Sequence, residues 1–481
     1  MCGFVGIIAD EPVAHSLYVA LAAIQHRGQD ATGIATLHNE RLRLYKDVGR
    51  VADVFTPQRL EELPGNAGIA HVRYPTSGEA IRNDSQPFMS RRPSLALAHN
   101  GNLTNLGELD RYLVSRGVHL VSGCDAEPIM LILADELLEL KPTGHTADDL
   151  AVAVRQTMKR LRGSYAVVTL LEVDGERTLV AFRDPHGIRP AMYGRDANGS
   201  WAVSSESVSL DVNEFTAEAE VPPGTMVLLR PHRDPVVVPL LEAPHKHCIF
   251  EDIYFARPDS FMAGTRVYHR RWAFGERLAD EWSEKGLAAD VVVAVPDTSR
   301  PAAQAMAEKL GLPCREGFIK NRYSGRSFIM PTQAAREATV RLKLNPIDEM
   351  FRGQRVIIVD DSIVRGTTMR RIVQRVRKLE PAAIHVAIFS PPVKYPCFYG
   401  IDMPLHEELV AHGAGDGSAL EQQLAKTFGA DTVTFLSDEG LRAVSGNDIC
   451  AACFTGQYPI PVDETERGDI VRDRRPQVAF P

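Results

Sequence analysis

Val356-Ile-Ile-Val-Asp360-Asp361-Ser362-Ile363-Val364-Arg365-Gly366-Thr367-Thr368 runs from a short β-branched segment into two acids, then into a glycine and two threonines. Its apolar start reads as a strand, Val356–Val359, buried on both faces, and the basic amphipathic run from about Thr368 to Leu379 reads as the helix that follows. Val291–Val295 is a second such strand, Pro301–Leu310 a helix opening on proline, and Ile384–Phe389 a third strand. Strand, loop, helix, strand predicts a parallel sheet with crossover helices. Ligands bind at the carboxyl ends of such strands, where Asp360 and Asp361 stand. Gly366, Thr367 and Thr368 fall where a helix begins, and its free N–H groups, hydroxyls and positive dipole end favour a phosphate. Two carboxylates beside a phosphate cradle suit a ligand with hydroxyls, or a magnesium ion, next to its phosphate. A nucleotide-triphosphate P-loop is excluded, because no Gly-Lys-Ser/Thr follows at the required spacing.

Upstream, the residues before about 235 alternate short apolar runs with Gly and Pro, which predicts many strands and a few helices. Apolar spacing supports helices over Leu17–Ile24 and Ile129–Leu140, and Gly163 precedes a strand-like run Ala166–Leu171. An α+β layered domain follows from this mixture. Pro231–Pro244, with four prolines, is the candidate linker, and the last residues read as a solvated tail. A length of 481 residues allows two to four domains. Lys and Arg number 54 against 62 Asp and Glu, a net charge of −8, so nucleic acid and anionic membrane are excluded as main partners. No apolar stretch approaches the ~20 residues of a membrane helix, and the N-terminus lacks the basic region of a secretory signal, which points to the cytoplasm.

The seven cysteines, an odd number without a signal peptide, argue against a disulfide framework. Cys2 would lead the chain once Met1 is removed, and its α-amine, with pKa ~7.7–8.0 in peptides, would then be a built-in base for the thiol. Cys450-x-x-Cys453 is by spacing alone a redox pair, half a zinc site or half a cluster site. Cys124 and Cys314 read as ordinary packed thiols. His406 and His412 resemble a zinc-protease pair but, six residues apart, fall ~120° off a common helix face.

The Val356–Thr368 stretch resembles the phosphoribosylpyrophosphate (PRPP) motif of type I phosphoribosyltransferases. Ala294-Val-Pro-Asp-Thr298-Ser299 resembles that family's pyrophosphate-side loop, and Lys320-Asn-Arg-Tyr323-Ser-Gly-Arg its mobile catalytic loop. The segments Met1-Cys2-Gly-Phe-Val-Gly, His26-Arg27-Gly-Gln-Asp30, His71-Val-Arg73-Tyr-Pro-Thr, His99-Asn100-Gly101-Asn-Leu and Gly123-Cys-Asp125-Ala-Glu127 resemble the N-terminal-nucleophile glutamine amidotransferases. Both halves in this order, with Arg183-Asp-Pro-His-Gly-Ile-Arg-Pro and Tyr254-Phe-Ala-Arg-Pro-Asp-Ser, resemble one family, the amidophosphoribosyltransferases of the iron–sulfur branch.

That resemblance implies an N-terminal-nucleophile αββα sandwich over residues 2–235, a type I phosphoribosyltransferase parallel-sheet domain over 250–460 and a tail over 461–481. It implies hydrolysis of glutamine and transfer of the ammonia to PRPP, giving 5-phosphoribosylamine and pyrophosphate, the first committed step of purine (IMP) synthesis. Cys2 would be the nucleophile, Asn100 and Gly101 the oxyanion hole, and Arg73 and Asp125 the glutamine ligands. PRPP would be held by Asp360, Asp361, Ser362, Val364, Arg365, Gly366, Thr367, Thr368, Lys320 and Tyr323, with magnesium at Thr298, Asp360 and Asp361. Cys248, Cys397, Cys450 and Cys453 match the ligands of a [4Fe–4S] cluster. The family is further expected to be feedback-inhibited by purine nucleotides, homotetrameric, and gated by the loop Lys320–Pro331, which forms an ammonia channel when PRPP binds. Intact Cys2, Arg73, Asn100, Gly101 and Asp125 argue against a PRPP sensor with a dead glutaminase. The Asp360–Asp361 loop argues against an amidotransferase acting on another acceptor.

Overall fold

The computed structural model describes residues 1–74, 81–321, 344–464, 466–468 and 470. Its first half is two antiparallel sheets laid face to face. The seven-stranded sheet runs in the order Thr216–Glu220, Met192–Arg195, Trp201–Ser204, Gly3–Ile8, Ala67–Arg73, Ala31–His38 and Arg41–Val48. The six-stranded sheet runs Val236–Pro239, Thr225–Leu229, Glu176–Arg183, Gly163–Val173, Ser94–Leu103 and Phe88–Arg91. Every residue of Gly3–Ile8 is buried, because the strand is covered on both faces. Phe4 and Ile8 join Ala98, Val168 and Leu170 between the sheets, while Val5 and Ile7 pack under the helix Ala14–Ala23. Helices Ala126–Leu140 and Ala147–Arg160 cover the outer face of the second sheet through Ile129, Leu133 and Val154. This is the αββα sandwich.

The second half is a five-stranded, all-parallel sheet in the order Cys314–Arg315, Val291–Ala294, Arg355–Asp360, Ala383–Ile388 and Thr432–Phe435. The central strand alternates its contacts: Ile357 and Val359 pack with Phe274, Leu278 and Met306, whereas Val356 and Ile358 pack with Ile372, Val376 and Leu424. Helices Val267–Ser283 and Arg300–Leu310 therefore cover one face, and Thr367–Arg377 and Gly417–Phe428 the other. The basic helix after the acids buries Met369, Ile372, Val373 and Val376 and turns its charges outward, as its amphipathic pattern demands.

Four expectations need correction. The stretch Pro231–Pro244 is not only a linker: Val236–Pro239 pairs antiparallel with Thr225–Leu229, so the first domain extends past residue 235. An edge strand with one unpaired side accommodates proline, which is why the prolines did not exclude it. The tail packs back in part, since Val462 and Ile470 are buried and Glu466 pairs with Arg162 at 2.7 Å. Cys314 is exposed on the short edge strand rather than packed. His406 and His412 are not on one α-helix; a 3₁₀ turn at His406–Glu408 brings their Nδ1 atoms to 3.4 Å. The helical-wheel argument did not apply to them.

Helices Val267–Ser283 and Arg300–Leu310 pack closely because Gly275 lacks a side chain; a Cβ there would lie 2.1 Å from the Ala302 carbonyl oxygen. Gly275→Ala should destabilise the second half by about 1–3 kcal/mol. Equilibrium unfolding in denaturant, read against the parent, measures this.

Candidate functional site

Three strand ends and one helix start converge on the first cavity. Cys2 precedes Gly3–Ile8, Arg73 ends Ala67–Arg73, Gly101 lies in Ser94–Leu103, and Asp125 immediately precedes Ala126–Leu140. Together with Tyr74, Gln86, His99 and Cys124 they line one cavity. The Cys2 Sγ lies 3.4 Å from both the N–H and the carbonyl oxygen of Tyr74. Burial pushes its thiol pKa up, against the lowering effect of the Tyr74 N–H and the Arg73 charge. Asp125 accepts from the Leu103 N–H at 3.1 Å and faces His99 Nδ1 at 3.5 Å. Arg73, almost wholly buried, stands 3.8 Å from Asp84.

Asn100, next to Gly101 in the strand, is not in the cavity wall, yet its buried Nδ2 has no hydrogen-bond partner among the described residues. Such a donor is costly unless something accepts from it. Gly101 has φ +153°, and a Cβ there would sit 2.0 Å from the Ser164 carbonyl oxygen. Only glycine fits.

The second set of residues meets at the carboxyl end of the parallel sheet. Arg355–Asp360 ends in Asp360, and Asp361 follows; the Asp361 N–H donates to Asp360 Oδ1 at 2.9 Å and Ser362 Oγ to Asp361 Oδ1 at 2.7 Å. Burial, and for Asp360 repulsion from its neighbour, pushes both carboxyl pKa values up. Gly366 takes φ +73° at the start of Thr367–Arg377, leaving Thr367 and Thr368 exposed on the first turn. The strand Val291–Ala294 pairs directly alongside and delivers Thr298, half-buried, to the same edge. Lys320 reaches that loop and pairs with Asp297 at 2.8 Å. Two members of the expected set are otherwise engaged: Val364 accepts from the Val410 N–H at 2.9 Å, and the exposed Arg365 pairs with Glu408 at 2.8 Å. Tyr323 and nearly all of the Lys320–Pro331 loop lie outside the described residues.

The third set closes around a cavity lined by Cys248, Cys397, Cys450 and Cys453. The two-residue strands His247–Cys248 and Ile449–Cys450 pair in parallel, with Cys248 opposite Cys450. All four thiols are buried, and Cys453 sits in the short helix Ala452–Thr455. Burial pushes Cys248 up to about 11 and raises Cys450 and Cys453 as well, while Arg189 opposes the shift at Cys248 and Cys450. Among the described residues no three His, Cys, Asp or Glu side chains are grouped as the ligands of one ion.

Residues 71–212 match the glutamine amidotransferase domain family, and residues 270–392 the phosphoribosyl transferase domain family. The amidophosphoribosyltransferase of Pseudomonas aeruginosa is 42% identical over 475 residues, covering 95% of this chain and 93% of that one. That of Methanothermobacter thermautotrophicus is 40% identical over 96% and 95% of the two chains. The solved structure of B. subtilis glutamine PRPP amidotransferase, complexed with ADP and GMP, superposes with a TM-score of 0.84 at 37% identity, over 96% and 98% of the chains. The chain belongs to the amidophosphoribosyltransferase family. Its activity is the family's glutamine-dependent amidotransfer to PRPP, which yields 5-phosphoribosylamine in purine biosynthesis.

Within this family fold, the sequence reading missed Tyr74, Gln86, His99 and Cys124 as parts of the first cavity. Cys124 was expected to be an ordinary packed thiol; it is buried, but in the cavity wall, 3.6 Å from Gln86 Nε2, with its pKa pushed up to about 12 by burial. The segment Cys397–Asp402, which the sequence reading took only as the surroundings of a cluster ligand, also sits on the glutaminase strands. Phe398 O accepts from Asn102 Nδ2 at 3.0 Å, Tyr399 O from Ser164 Oγ at 2.7 Å, and Asp402 Oδ2 from Tyr74 Oη at 2.8 Å. A Cβ on Gly400, at φ +102°, would lie 2.9 Å from the Gly101 oxygen. The glycine in Cys397-Phe-Tyr-Gly-Ile-Asp was the one legible signal of that close approach.

Gly101→Ala forces a methyl group into the Ser164 carbonyl and displaces the strand. Glutamine-dependent turnover should fall by about 10²-fold or more, as for loss of an oxyanion donor. Turnover with high external ammonia should be retained, and parallel assays with the two nitrogen sources measure the split.

Proposed function

We propose that Cys2 attacks the glutamine carboxamide while Arg73 and Asp125 hold the substrate's carboxylate and ammonium and Asn100 and Gly101 bear the oxyanion. The observation that carries this reading is the convergence of Cys2, Arg73, Gly101 and Asp125 on one cavity, beside an Asn100 Nδ2 that has no hydrogen-bond partner among the described residues. Attack by sulfur forms the C–S bond and places negative charge on the carboxamide oxygen, where two N–H donors reduce its cost. The C–N bond then breaks, ammonia leaves with a proton, and water cleaves the thioester to glutamate and the free thiol. With Met1 removed, the α-amine of Cys2 takes the thiol proton and returns it to the leaving nitrogen.

At the sheet edge, Asp360 and Asp361 accept from the ribose hydroxyls, and Ser362, Gly366, Thr367 and Thr368 bind the 5-phosphate with free N–H groups and hydroxyls. Val364 and Arg365 shape this loop, and Lys320 and Tyr323 act on the pyrophosphate side. The nitrogen lone pair of ammonia forms the bond to the ribose C1 carbon, and pyrophosphate leaves with the electrons of the bond that breaks. Two crowded carboxylates and a hydroxyl are a hard oxygen donor set, so Asp360, Asp361 and Thr298 fit magnesium, which is held by one or two carboxylates plus substrate phosphate oxygens. When bound, magnesium neutralises charge on the departing pyrophosphate.

Cys248, Cys397, Cys450 and Cys453 fit a [4Fe–4S] cluster. Four thiolates are its usual ligands, and the thiols of Cys248, Cys450 and Cys453, raised by burial and by their thiol neighbours, are relieved by coordination. The nucleotides bound by the B. subtilis relative support purine nucleotides as feedback inhibitors here. A cytoplasmic homotetramer with glutamine and PRPP as substrates completes the proposal; among the described residues no helix is long and apolar enough to cross a membrane.

Cys2→Ala should abolish glutamine use and leave synthesis from external ammonia, whereas Asp360→Asn with Asp361→Asn should weaken PRPP use in both assays. Glutamine consumption by the Cys2 variant at the parental rate would overturn the nucleophile.

Anaerobically purified protein should be brown, absorb broadly near ~400 nm and carry about four irons and four sulfides per chain. A colourless, fully active preparation with one zinc per chain would overturn the cluster and leave both catalytic centres standing.

A further inference from the structure

Arg27, Glu206, Arg189 and Glu251 have no exposed surface, and they meet where the two halves of the chain join. Arg27 spans the junction. Its Nε donates to the Cys2 carbonyl oxygen at 2.9 Å, its Nη1 pairs with Glu206 Oε1, and its Nη2 donates to both oxygens of Glu251 at 2.8 and 3.1 Å. Glu251 Oε1 also faces Arg189 Nη1 at 3.3 Å, and Arg189 Nε in turn donates to the Tyr399 carbonyl at 2.7 Å. Glu251 opens the π-helical turn Glu251–Phe255, three residues after Cys248 and beyond the last strand of the glutaminase sheets. Glu206, by contrast, belongs to the glutaminase half; it binds His26 at 2.8 Å, the Arg257 N–H at 3.1 Å and Ser260 at 2.7 Å.

A guanidinium is a rigid planar fork, so fixing both of its Nη groups fixes the direction of its Nε–H. The arginine stem lies directly against Gly3, where a Cβ would come within 2.9 Å of Arg27 Cδ, so the glycine makes room for it beside the Cys2 backbone. Cys2 is the residue whose carbonyl that Nε–H holds, and its thiol must reach the glutamine carbon within a narrow range of geometry. We propose that Glu251 is a positioning residue for glutamine hydrolysis: through Arg27 it fixes the Cys2 backbone, so a side chain outside the glutaminase sandwich sets the glutaminase rate. The proposal rests on Cys2 as the nucleophile. It places none of the substrate contacts on Glu251, because Arg73 and Asp125, not Arg27, line the glutamine cavity.

The experiment compares Glu251→Gln and Glu251→Asp with the parent and with Cys2→Ala, in the full-length protein. Glu251→Gln keeps the shape and removes the charge that holds the two arginines. Its kcat with glutamine should fall by about tenfold to a hundredfold, the scale of a misaimed nucleophile. Its KM for glutamine and its ammonia-dependent rate should stay within about twofold of the parent, because neither depends on the aim of the thiol. The rate of Cys2 alkylation by iodoacetamide should change in step with kcat, which general loosening of the fold would not produce without an equal loss of ammonia-dependent synthesis. Glu251→Asp, which keeps the charge, should recover part of the rate. A parental kcat with glutamine, or equal losses with glutamine and ammonia, overturns the proposal. If Glu251→Gln does not fold, Glu251→Asp decides, and an unchanged ratio of glutamine- to ammonia-dependent rates overturns it. Glutamine use by Cys2→Ala would instead refute the nucleophile, whatever Glu251 does.

Discussion

Two arginines and two glutamates, fully buried and hydrogen-bonded to one another, hold the halves of this chain in one arrangement. Each charge taken alone would pay several kcal/mol for leaving water, and removing one partner from such a pair typically costs about 3–5 kcal/mol. The cluster is tolerated because its charges balance and because its remaining donors find carbonyls, at Cys2 and Tyr399. Those two carbonyls belong to Cys2 and to the segment between the cysteine cavity and the cavity beside Cys2. An arrangement that is expensive to break therefore coincides with the places where position matters most.

The catalytic centres obey different rules. At the parallel sheet, strand direction does most of the work. All five strands point the same way, so Asp360 and the loop carrying Thr298 emerge at one edge, and the helix that must follow places its N–H groups there. The cavity beside Cys2 has no such single origin. Antiparallel strands bring Cys2 and Arg73 together, because Gly3 pairs with Val72, while Gly101 comes from the opposite sheet and Asp125 from the start of a helix.

Much of the second half was legible from local pattern. Val356–Val359 became Arg355–Asp360, Thr368–Leu379 became Thr367–Arg377, and Ile384–Phe389 became Ala383–Ile388, each within two residues. Buried parallel strands are continuous apolar runs, and the crossover helices between them have an apolar stripe, so both periods show in the sequence. The first half was less legible. Val236–Pro239 hid among prolines because an edge strand needs only one set of ladder hydrogen bonds. The second half had its own blind spot: Cys314 looked like any core thiol because a two-residue edge strand has no periodicity to reveal its exposed side.

The sequence by itself determined the chemistry available: a thiol next to the N-terminus, paired acids before a helix start that carries a glycine and two threonines, four cysteines in the second half of the kind that can bind metals, and the glycines that permit close approach. Those are properties of residue types and short spacings. Only the tertiary structure decided which groups share a space. Cys124 and Gln86 became walls of the cavity beside Cys2, Gly400 came to rest against Gly101, and Glu251 came within 2.8 Å of Arg27, 224 residues away. Contacts at that separation leave no periodic trace in the chain, because they are set by the packing of whole sheets and helices rather than by the spacing of neighbours.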